Sequence, residues 1–202
     1  MAVTIRSRVR TQGEPVKGSR FIATAAPVAD EAAARSLLTG VAAEMPDASH
    51  HCWAWRLATP AIERAGDDGE PGGSAGRPIL AQITGRDLVN VAVIVTRWFG
   101  GTKLGVGGLV RAYGVAASLA LDSSDFEPYV PTLSATVRYD YADVDTVQRV
   151  LSVHGATDTE VSYEAVITHR FDIPNTALAA VADALADATS GRVSIEPPPG
   201  HD

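Results

Sequence analysis

The spacing of apolar and polar residues predicts several strands and one helix in the first half of the chain. Residues 4–10 alternate in polarity, residues 18–23 form a second strand candidate, and residues 51–57 alternate again. Residues 30–43 are rich in Ala and Leu at helical spacing, and residues 89–95 are almost continuously apolar, as in a strand buried on both faces. Elements of both kinds in one segment predict an α+β fold.

Two segments rich in turn-forming residues divide this pattern. Residues 58–77 contain five glycines and two prolines, which predicts a long loop. Residues 122–131 again collect turn formers, including two prolines, and we interpret them as a linker between domains. The predicted organisation is a first domain over residues 1–128, a second over residues 129–197 and a disordered tail at residues 198–202.

The second half of the chain has a simpler pattern. It predicts strands at residues 133–139, 157–163, 165–172 and 193–196 and helices at residues 144–153 and 176–188. That order is βαββαβ, the ferredoxin-like arrangement. Asp143 and Asn175 are the predicted N-caps of the two helices, and Gly191 is predicted to end the second one.

Composition restricts the class of protein. A chain of 202 residues with 46% hydrophobic side chains can form two modest cores. The single cysteine, Cys52, excludes an intrachain disulfide, and the first residues lack the pattern of a secretory signal. No apolar run approaches the ~20 residues needed to cross a bilayer. We therefore expect a soluble, cytoplasmic protein that does not associate with membranes.

Charge is distributed unevenly between the two halves. Residues 1–130 contain 13 Lys and Arg and 13 Asp and Glu, whereas residues 131–202 contain 4 and 11. The whole net charge of −7 therefore lies in the second half. Because an acidic domain repels phosphates, RNA or another phosphate-bearing ligand is expected to bind the first half.

The densest candidate chemistry lies in residues 91–114. A buried strand is followed by a turn with five glycines between Gly100 and Gly108, and then by a helix. Glycines let a ligand approach the backbone, and amides at a helix N-terminus favour anions. The segment matches neither a Walker A loop nor a dinucleotide-binding pattern, so the anion stays unspecified. The alternative is that the glycines only permit a tight connection and close packing of helix on sheet.

A second candidate is the run of carboxylates in residues 67–78. Asp67, Asp68 and Glu70 precede a turn of small residues. Such a cluster would hold Mg²⁺, or one member would act as a general base. A solvated turn has the same composition, so the sequence leaves both interpretations open.

The third candidate is a cysteine beside two histidines in residues 49–55. On a strand, His50 and Cys52 share one face, while His51 faces the other way. This arrangement suggests a thiolate nucleophile or part of a metal site, although one Cys with one His is too few for structural zinc. The alternative is a packed, unreactive cysteine with hydrogen-bonded histidines.

Four segments in order along the chain together resemble one family, the IMPACT/YigZ proteins, also described as UPF0029-type. The segments are Lys17-Gly-Ser-Arg-Phe-Ile-Ala23, Ala48-Ser-His-His-Cys-Trp-Ala54, Asp67-Asp-Gly-Glu-Pro-Gly-Gly-Ser-Ala-Gly76 and Arg97-Trp-Phe-Gly-Gly-Thr-Lys-Leu-Gly105. The resemblance implies a first domain like the second domain of ribosomal protein S5. It also implies that the ferredoxin-like second domain is similar to one from translocating elongation factors.

Carried over residue by residue, the resemblance nominates one surface. Its anion-binding or nucleic-acid-binding part comprises Lys17, Ser19, Arg97, Gly100, Gly101, Lys103, Gly105 and Arg111. Its polar cluster comprises His50, Cys52, Asp67, Asp68 and Glu70, with a possible magnesium ion at the last three and no other cofactor. Trp98 and Phe99 would either stack on a base or fill the core beneath the loop.

Both domain likenesses point to translation, and the eukaryotic relatives are translational regulators that use an additional N-terminal domain. The resemblance therefore implies a translation-associated regulatory protein that binds RNA, the ribosome or another phosphate-bearing ligand through residues 97–108. The alternative is a metal-dependent enzyme acting on a phosphorylated metabolite or nucleotide, with Asp68 or Glu70 as the catalytic group. The acidic second domain is a candidate surface for a protein partner.

Overall fold

The computed structural model describes residues 2–196. The predicted disordered tail, residues 198–202, lies outside the described residues. The chain divides into two compact units, Met1–Tyr129 and Val130–Asp202, which we call unit 1 and unit 2. Both units combine helices with antiparallel sheet, which confirms the α+β class. Within residues 2–196, no helix combines the length and apolar composition needed to span a bilayer.

Unit 1 is built on one five-stranded sheet and a separate pair of strands. The seven strands of unit 1 are β1 Val3–Ile5, β2 Val9–Gln12, β3 Arg20–Pro27, β4 His50–Leu57, β5 Ile62–Gly66, β6 Val91–Trp98 and β7 Phe126–Pro128. Its helices are α1 Glu31–Glu44, α2 Gly76–Thr84 and α3 Val106–Asp122. The sheet has the strand order β2-β3-β6-β4-β5 with antiparallel pairing, and β1 and β7 form a separate antiparallel pair.

The central strand β6 explains how the layers pack. Val93 and Val95 belong to the core that includes residues of α2 and α3, whereas Ala92 and Ile94 belong to the core that includes residues of α1. A strand covered by helices on both faces is continuously apolar, as the sequence predicts. Because side chains alternate, Arg97 follows Val95 onto the face of α2 and α3.

Two segments contain more structure than predicted. The expected loop at residues 58–77 includes strand β5, which pairs with β4, and the first residues of α2. The expected linker includes β7, which pairs with β1 near the chain start. Both strands lie at sheet edges with partly exposed side chains, so neither produces a clear alternation of polarity.

Unit 2 has the predicted ferredoxin-like arrangement. Its strands are β8 Thr132–Tyr139, β9 Thr157–Tyr163, β10 Ile167–Pro174 and β11 Ile195–Glu196, and its helices are α4 Val144–Val153 and α5 Leu178–Thr189. The strand order is β11-β8-β10-β9 with antiparallel pairing. The described core includes Val137, Phe171 and Leu185 from three different elements.

One of the two predicted helix N-caps in unit 2 is confirmed and the other is wrong. Asp143 is the N-cap residue of α4, although its carboxylate makes no capping hydrogen bond and accepts one from Arg192 Nη2 at 2.7 Å. Asn175 lies in a 3₁₀ turn ahead of α5, whose N-cap position is Ala177. Helix α5 ends at Thr189 with the left-handed Ser190 as its C-cap, and the predicted Gly191 follows it, with a φ of 76° and an amide that donates to the carbonyl of Ala186 at 2.8 Å.

Candidate functional site

The centre of the site is a buried ion pair between Arg97 and Glu70. Arg97 Nη1 lies 2.5 Å from Glu70 Oε1, and the two side chains are only 4% and 5% exposed. Arg97 Nη2 also donates to Ser19 Oγ at 3.0 Å. Its Nε is buried without a hydrogen-bond partner among the described residues. Arg97 therefore connects the start of β3 to the loop that carries Glu70.

Behind this pair lie Tyr113 and Cys52, which are both buried. Tyr113 Oη donates to Glu70 Oε1 at 2.7 Å, and burial raises the pKa of this phenol well above its ordinary value. The Cys52 thiol donates to the Asp67 carbonyl at 3.0 Å, and burial raises the pKa of the thiol to about 12. Cys52 is therefore protonated at neutral pH, as expected for a packed cysteine.

Asp67 holds the loop that leads into α2. Its Oδ1 accepts hydrogen bonds from the amides of Ala75 at 3.0 Å and Gly76 at 2.8 Å, and its Oδ2 accepts one from Gly73 at 2.7 Å. Desolvation opposes ionisation here, but the three amide bonds together hold the pKa of Asp67 below its ordinary value. Asp67 thus supplies the acceptor that the N-terminus of α2 requires.

We expect Asp67→Asn to destabilise unit 1 by about 1–2 kcal/mol at pH 7, because asparagine keeps one acceptor oxygen but turns an NH2 donor towards a backbone amide that Asp67 now accepts from. A folded-state pKa below the unfolded value means that the stabilisation is present above the unfolded pKa, about 3.9, and is lost as pH falls through the folded pKa. The stability difference between wild type and variant should therefore shrink below about pH 4.

Urea unfolding at pH values from 7 down to 3 measures this difference, and tryptophan fluorescence reports on unit 1 because all three tryptophans belong to it. Asp125→Asn is the matched control, because this exposed carboxylate makes no side-chain hydrogen bond among the described residues. A difference between wild type and Asp67→Asn that stays constant with pH would contradict the assigned role.

Asp68 and His50 extend the polar cluster. Asp68 Oδ2 accepts a hydrogen bond from the backbone amide of His51 at 2.6 Å. His50 Nδ1 lies 2.7 Å from the Asp68 carbonyl oxygen, and because a carbonyl only accepts, Nδ1 carries the proton. His50 Nε2 faces Glu70 Oε1 at 3.9 Å. A continuous set of polar contacts therefore joins Asp68, through His50 and Glu70, to Arg97.

Each of the three carboxylates of this loop accepts hydrogen bonds from other groups of the protein. Asp67 and Asp68 accept backbone amides, and Glu70 accepts hydrogen bonds from Arg97 and Tyr113. Across residues 2–196, no group of three or more His, Cys, Asp or Glu side chains is arranged to hold a metal ion. Magnesium binding here would require some of these bonds to be replaced, and it stays a prediction.

The Gly-rich turn meets the β2–β3 turn at Ser19. Ser19 Oγ accepts a hydrogen bond from the amide of Gly100 at 3.2 Å, in addition to the one from Arg97. Gly100 packs so closely on Gly18 that a Cβ at Gly100 would lie 1.9 Å from the Gly18 carbonyl carbon. Two motifs that are about 80 residues apart in the chain, at Lys17 and Arg97, are therefore in direct contact.

An open cavity of about 470 Å³ lies in front of the ion pair, and we call it the Lys103 cavity. Its lining residues are His50, Glu70, Pro71, Arg97, Phe99, Lys103, Leu104, Gly105, Val106 and Leu109. Gly105 is the N-cap of α3, has a φ of 73° and provides no capping side chain. Within residues 2–196, no side chain caps the first amides of α3 at this edge of the cavity.

The remaining predicted residues lie elsewhere. Lys17 and Arg111 line a second depression of about 420 Å³, which we call the Lys17 groove, and Leu104 borders both depressions. A Cβ at Gly101 would meet nothing within 4 Å, so Gly101 borders open space. The residues predicted as one surface are thus distributed over a buried cluster, a cavity and a groove.

The two aromatic residues of the Gly-rich segment differ in their environments. Trp98 Nε1 donates to Asp47 Oδ2 at 2.9 Å, and the Arg20 guanidinium lies 3.8 Å from the centre of its ring. Phe99 is 49% exposed and lines the Lys103 cavity. Phe99 is therefore accessible for stacking. The sequence does not identify Tyr113 as a residue of the site. The feature that marks it is that it is the one aromatic residue in α3, whose other buried residues are aliphatic.

Comparison with known protein families assigns most of these residues to one family domain. The family model described as the Impact N-terminal domain matches residues 17–121, which contain the ion pair, the cavity and most of the residues that line the groove. The chain belongs to the IMPACT family. A second model, described as a domain of unknown function, matches residues 137–192 of this IMPACT family member. The resemblance of the four sequence motifs is thereby confirmed.

The similarity to other IMPACT family proteins extends over nearly the whole chain. The IMPACT family member YigZ of Escherichia coli (strain K12) is 34% identical over 185 residues, which cover 90% of this chain and 91% of that protein. An IMPACT family member of Thermus thermophilus is 36% identical over 182 residues, 90% of this chain and 99% of its own. A crystal structure of a hypothetical protein matches with a TM-score of 0.75, 31% identity and coverage of 99% and 98%.

Proposed function

We propose that this IMPACT family member is a cytoplasmic, translation-associated regulatory protein that binds a phosphate-bearing ligand, specifically single-stranded RNA, at the Lys103 cavity. Membership of the IMPACT family supports the link to translation, since the eukaryotic relatives are translational regulators. Unit 2 is acidic, and its excess of carboxylates repels nucleic acid. We therefore assign unit 2 to a protein partner and not to RNA.

The observation that carries this proposal is the electrostatic character of the Lys103 cavity. Arg97 and Glu70 neutralise each other at its base. Lys103 forms no ion pair among residues 2–196, and it lines the cavity beside the N-terminus of α3. A helix N-terminus carries a partial positive charge of about +0.5, so the cavity has a net positive character suited to phosphate.

Phe99 adds the second element of single-strand recognition. Its exposed ring lines the same cavity as Lys103. Proteins that bind single strands combine a cationic groove with aromatic side chains on which bases stack, each stacked base contributing about 1–3 kcal/mol. The cavity of about 470 Å³ is within the size range of sites for small ligands, so it accommodates one nucleotide of a longer strand.

The test is fluorescence anisotropy with a labelled single-stranded RNA of about 12 nucleotides at two salt concentrations, about 50 and 200 mM. We expect wild-type binding to weaken as salt rises. Lys103→Ala should weaken binding by about 5–10-fold and reduce the salt dependence by the equivalent of about one phosphate contact. Phe99→Ala should weaken binding at both salt concentrations, because stacking does not depend on charge.

Arg149→Ala is the matched control, because it removes one exposed positive charge from α4 of unit 2. Arg97 is unsuitable for this test, since a buried, paired arginine cannot be removed without disturbing the fold. If RNA does not bind at the lower salt concentration, or if Lys103→Ala binds as tightly as Arg149→Ala, the proposal is wrong.

A further inference from the structure

The Lys17 groove shares Leu104 with the Lys103 cavity, and it is lined mostly by apolar side chains. Two rows of α3 residues form one wall, because positions four apart lie on the same helix face. The inner row is Gly108, Ala112 and Ala116, and the outer row is Arg111, Val115 and Leu119. The charged backbone of a nucleic acid gains little from contact with an aliphatic floor. We therefore expect this groove to bind a ligand with an apolar part.

The groove has a charged end and an apolar end. Lys17 lines the groove together with Leu104 and Gly108, which lie near the start of α3. Arg111 lies in the early part of α3, whereas Leu119 is near its end and lies beside Gly13. From Gly108 to Leu119 the wall extends about 16 Å at 1.5 Å per helical residue.

Depth and accessibility also vary across the groove. Phe21, Ala112 and Ala116 are buried and form its floor, whereas Val115 is 60% exposed and Leu119 is 39% exposed at its rim. The exposed apolar rim continues into the buried floor. Such continuity provides a surface for an apolar chain that enters from the side.

The backbone at Lys17 is strained in a way that glycine or asparagine would relieve. Val16 and Ser19 exchange two backbone hydrogen bonds, so Lys17 and Gly18 form a two-residue turn with φ values of 47° and 81°. Such turns favour Asn-Gly, because a residue with a long side chain rarely adopts positive φ. Despite this backbone cost, the residue at this position is a lysine, which places a positive charge at the rim of the groove.

We propose that the Lys17 groove binds a single-chain amphiphile, with its carboxylate or phosphate head between Lys17 and Arg111 and its apolar chain directed towards Leu119. Neither cation forms an ion pair among residues 2–196. Arg111 offers the forked donor that matches an oxyanion, and Lys17 adds a second positive charge. Glu14 also lines the groove and opposes an anionic head.

The test uses isothermal titration calorimetry with straight-chain alkyl phosphates of increasing length, each below its micelle-forming concentration. Two added methylenes should tighten binding by about tenfold, until the chain outgrows the groove. Alkyl carboxylates should show the same dependence on length, which identifies the head as any oxyanion. Alcohols of equal length should bind at least about tenfold more weakly, since they lack the charge.

Four variants separate the head from the chain. Arg111→Gln should weaken alkyl phosphate binding by about 5–10-fold, whereas Glu14→Gln should strengthen it by about twofold. Val115→Asp places a carboxylate on the rim and should abolish binding. Lys17→Asn should weaken binding by about 5–10-fold and yet raise the Tm by about 2–4 °C, so the loss cannot be attributed to unfolding.

Two controls keep this result distinct from the RNA-binding proposal. Arg149→Gln should bind alkyl phosphates as the wild type does, because Arg149 does not line the groove. Lys103→Ala removes a cation of the cavity proposed for RNA phosphates, and it should leave the dependence of affinity on alkyl chain length unchanged. Affinity that does not depend on chain length, or that is unchanged in Arg111→Gln and Lys17→Asn, would overturn the inference. Binding to vesicles of anionic phospholipid without binding to free alkyl phosphate would overturn it as well.

Discussion

Replacing Gly100 with alanine is expected to destabilise unit 1 by about 3 kcal/mol or more, because the new methyl group has no space. An ideal Cβ would lie 1.9 Å from the carbonyl carbon of Gly18 and 2.2 Å from the amide nitrogen of Ser19. These are backbone atoms, so no side-chain rotation relieves the overlap. The contact also positions Ser19, which accepts hydrogen bonds from both Arg97 and Gly100.

Urea unfolding monitored by tryptophan fluorescence measures this effect in unit 1, where all three tryptophans lie. Gly107→Ala is the matched control. Gly107 lies in the first turn of α3, and a Cβ there would meet nothing within 4 Å. Alanine should stabilise this position by up to about 1 kcal/mol. A Gly100→Ala protein within about 1 kcal/mol of wild type would show that the two turns are not in close contact.

The fold of unit 2 was predictable because its elements are short and strongly periodic. The predicted helix at residues 144–153 and strand at residues 157–163 match α4 and β9. Apolar residues at alternate positions, such as Ile167, Phe171 and Ile173, mark the inner face of β10. In such a unit each local pattern agrees with the final packing, so local interpretation succeeds.

Helix α2 was not predicted, although one signal for it was present. Its first turn contains Pro78, a position where proline is tolerated because the amide is not needed for the helix. Ile79 and Ile83 follow with a spacing of four and are both buried. The preceding glycines obscured this pattern. The acceptor for the helix N-terminus is Asp67, which lies nine residues before Gly76 and outside any local capping motif.

The sequence indicates some of the residues that meet around the Arg97–Glu70 pair, but it does not indicate their arrangement. Side chains alternate between the two faces of β6, so Val93 and Val95 indicate which face of the sheet Arg97 occupies. This alternation cannot show that Glu70 reaches Arg97, because that contact depends on how a distant loop packs against the sheet. For the same reason, the sequence could not separate Lys17 and Arg111 from Lys103. Residues that share a motif need not share a cavity.

The second large expected effect concerns the Arg97–Glu70 pair. Arg97→Met leaves a buried carboxylate without its positive partner, and we expect a loss of about 3–5 kcal/mol in the free energy of unfolding. Glu70→Gln leaves Arg97 without its negative partner and should also be costly. The double variant should lose at least about 2 kcal/mol less than the sum of the single variants, since no unpaired charge is then buried.

The exposed pair Arg35–Glu31 is the matched control for this double-mutant cycle. Its N–O distance is 2.6 Å, close to the 2.5 Å of the buried pair, but its side chains are 64% and 31% exposed. An exposed pair four residues apart on a helix contributes only about 0.3–0.5 kcal/mol, so burial is the property that differs. Equal coupling in the two cycles would show that Arg97 and Glu70 are not a buried structural pair. Arg97 would then be available to contact a ligand directly.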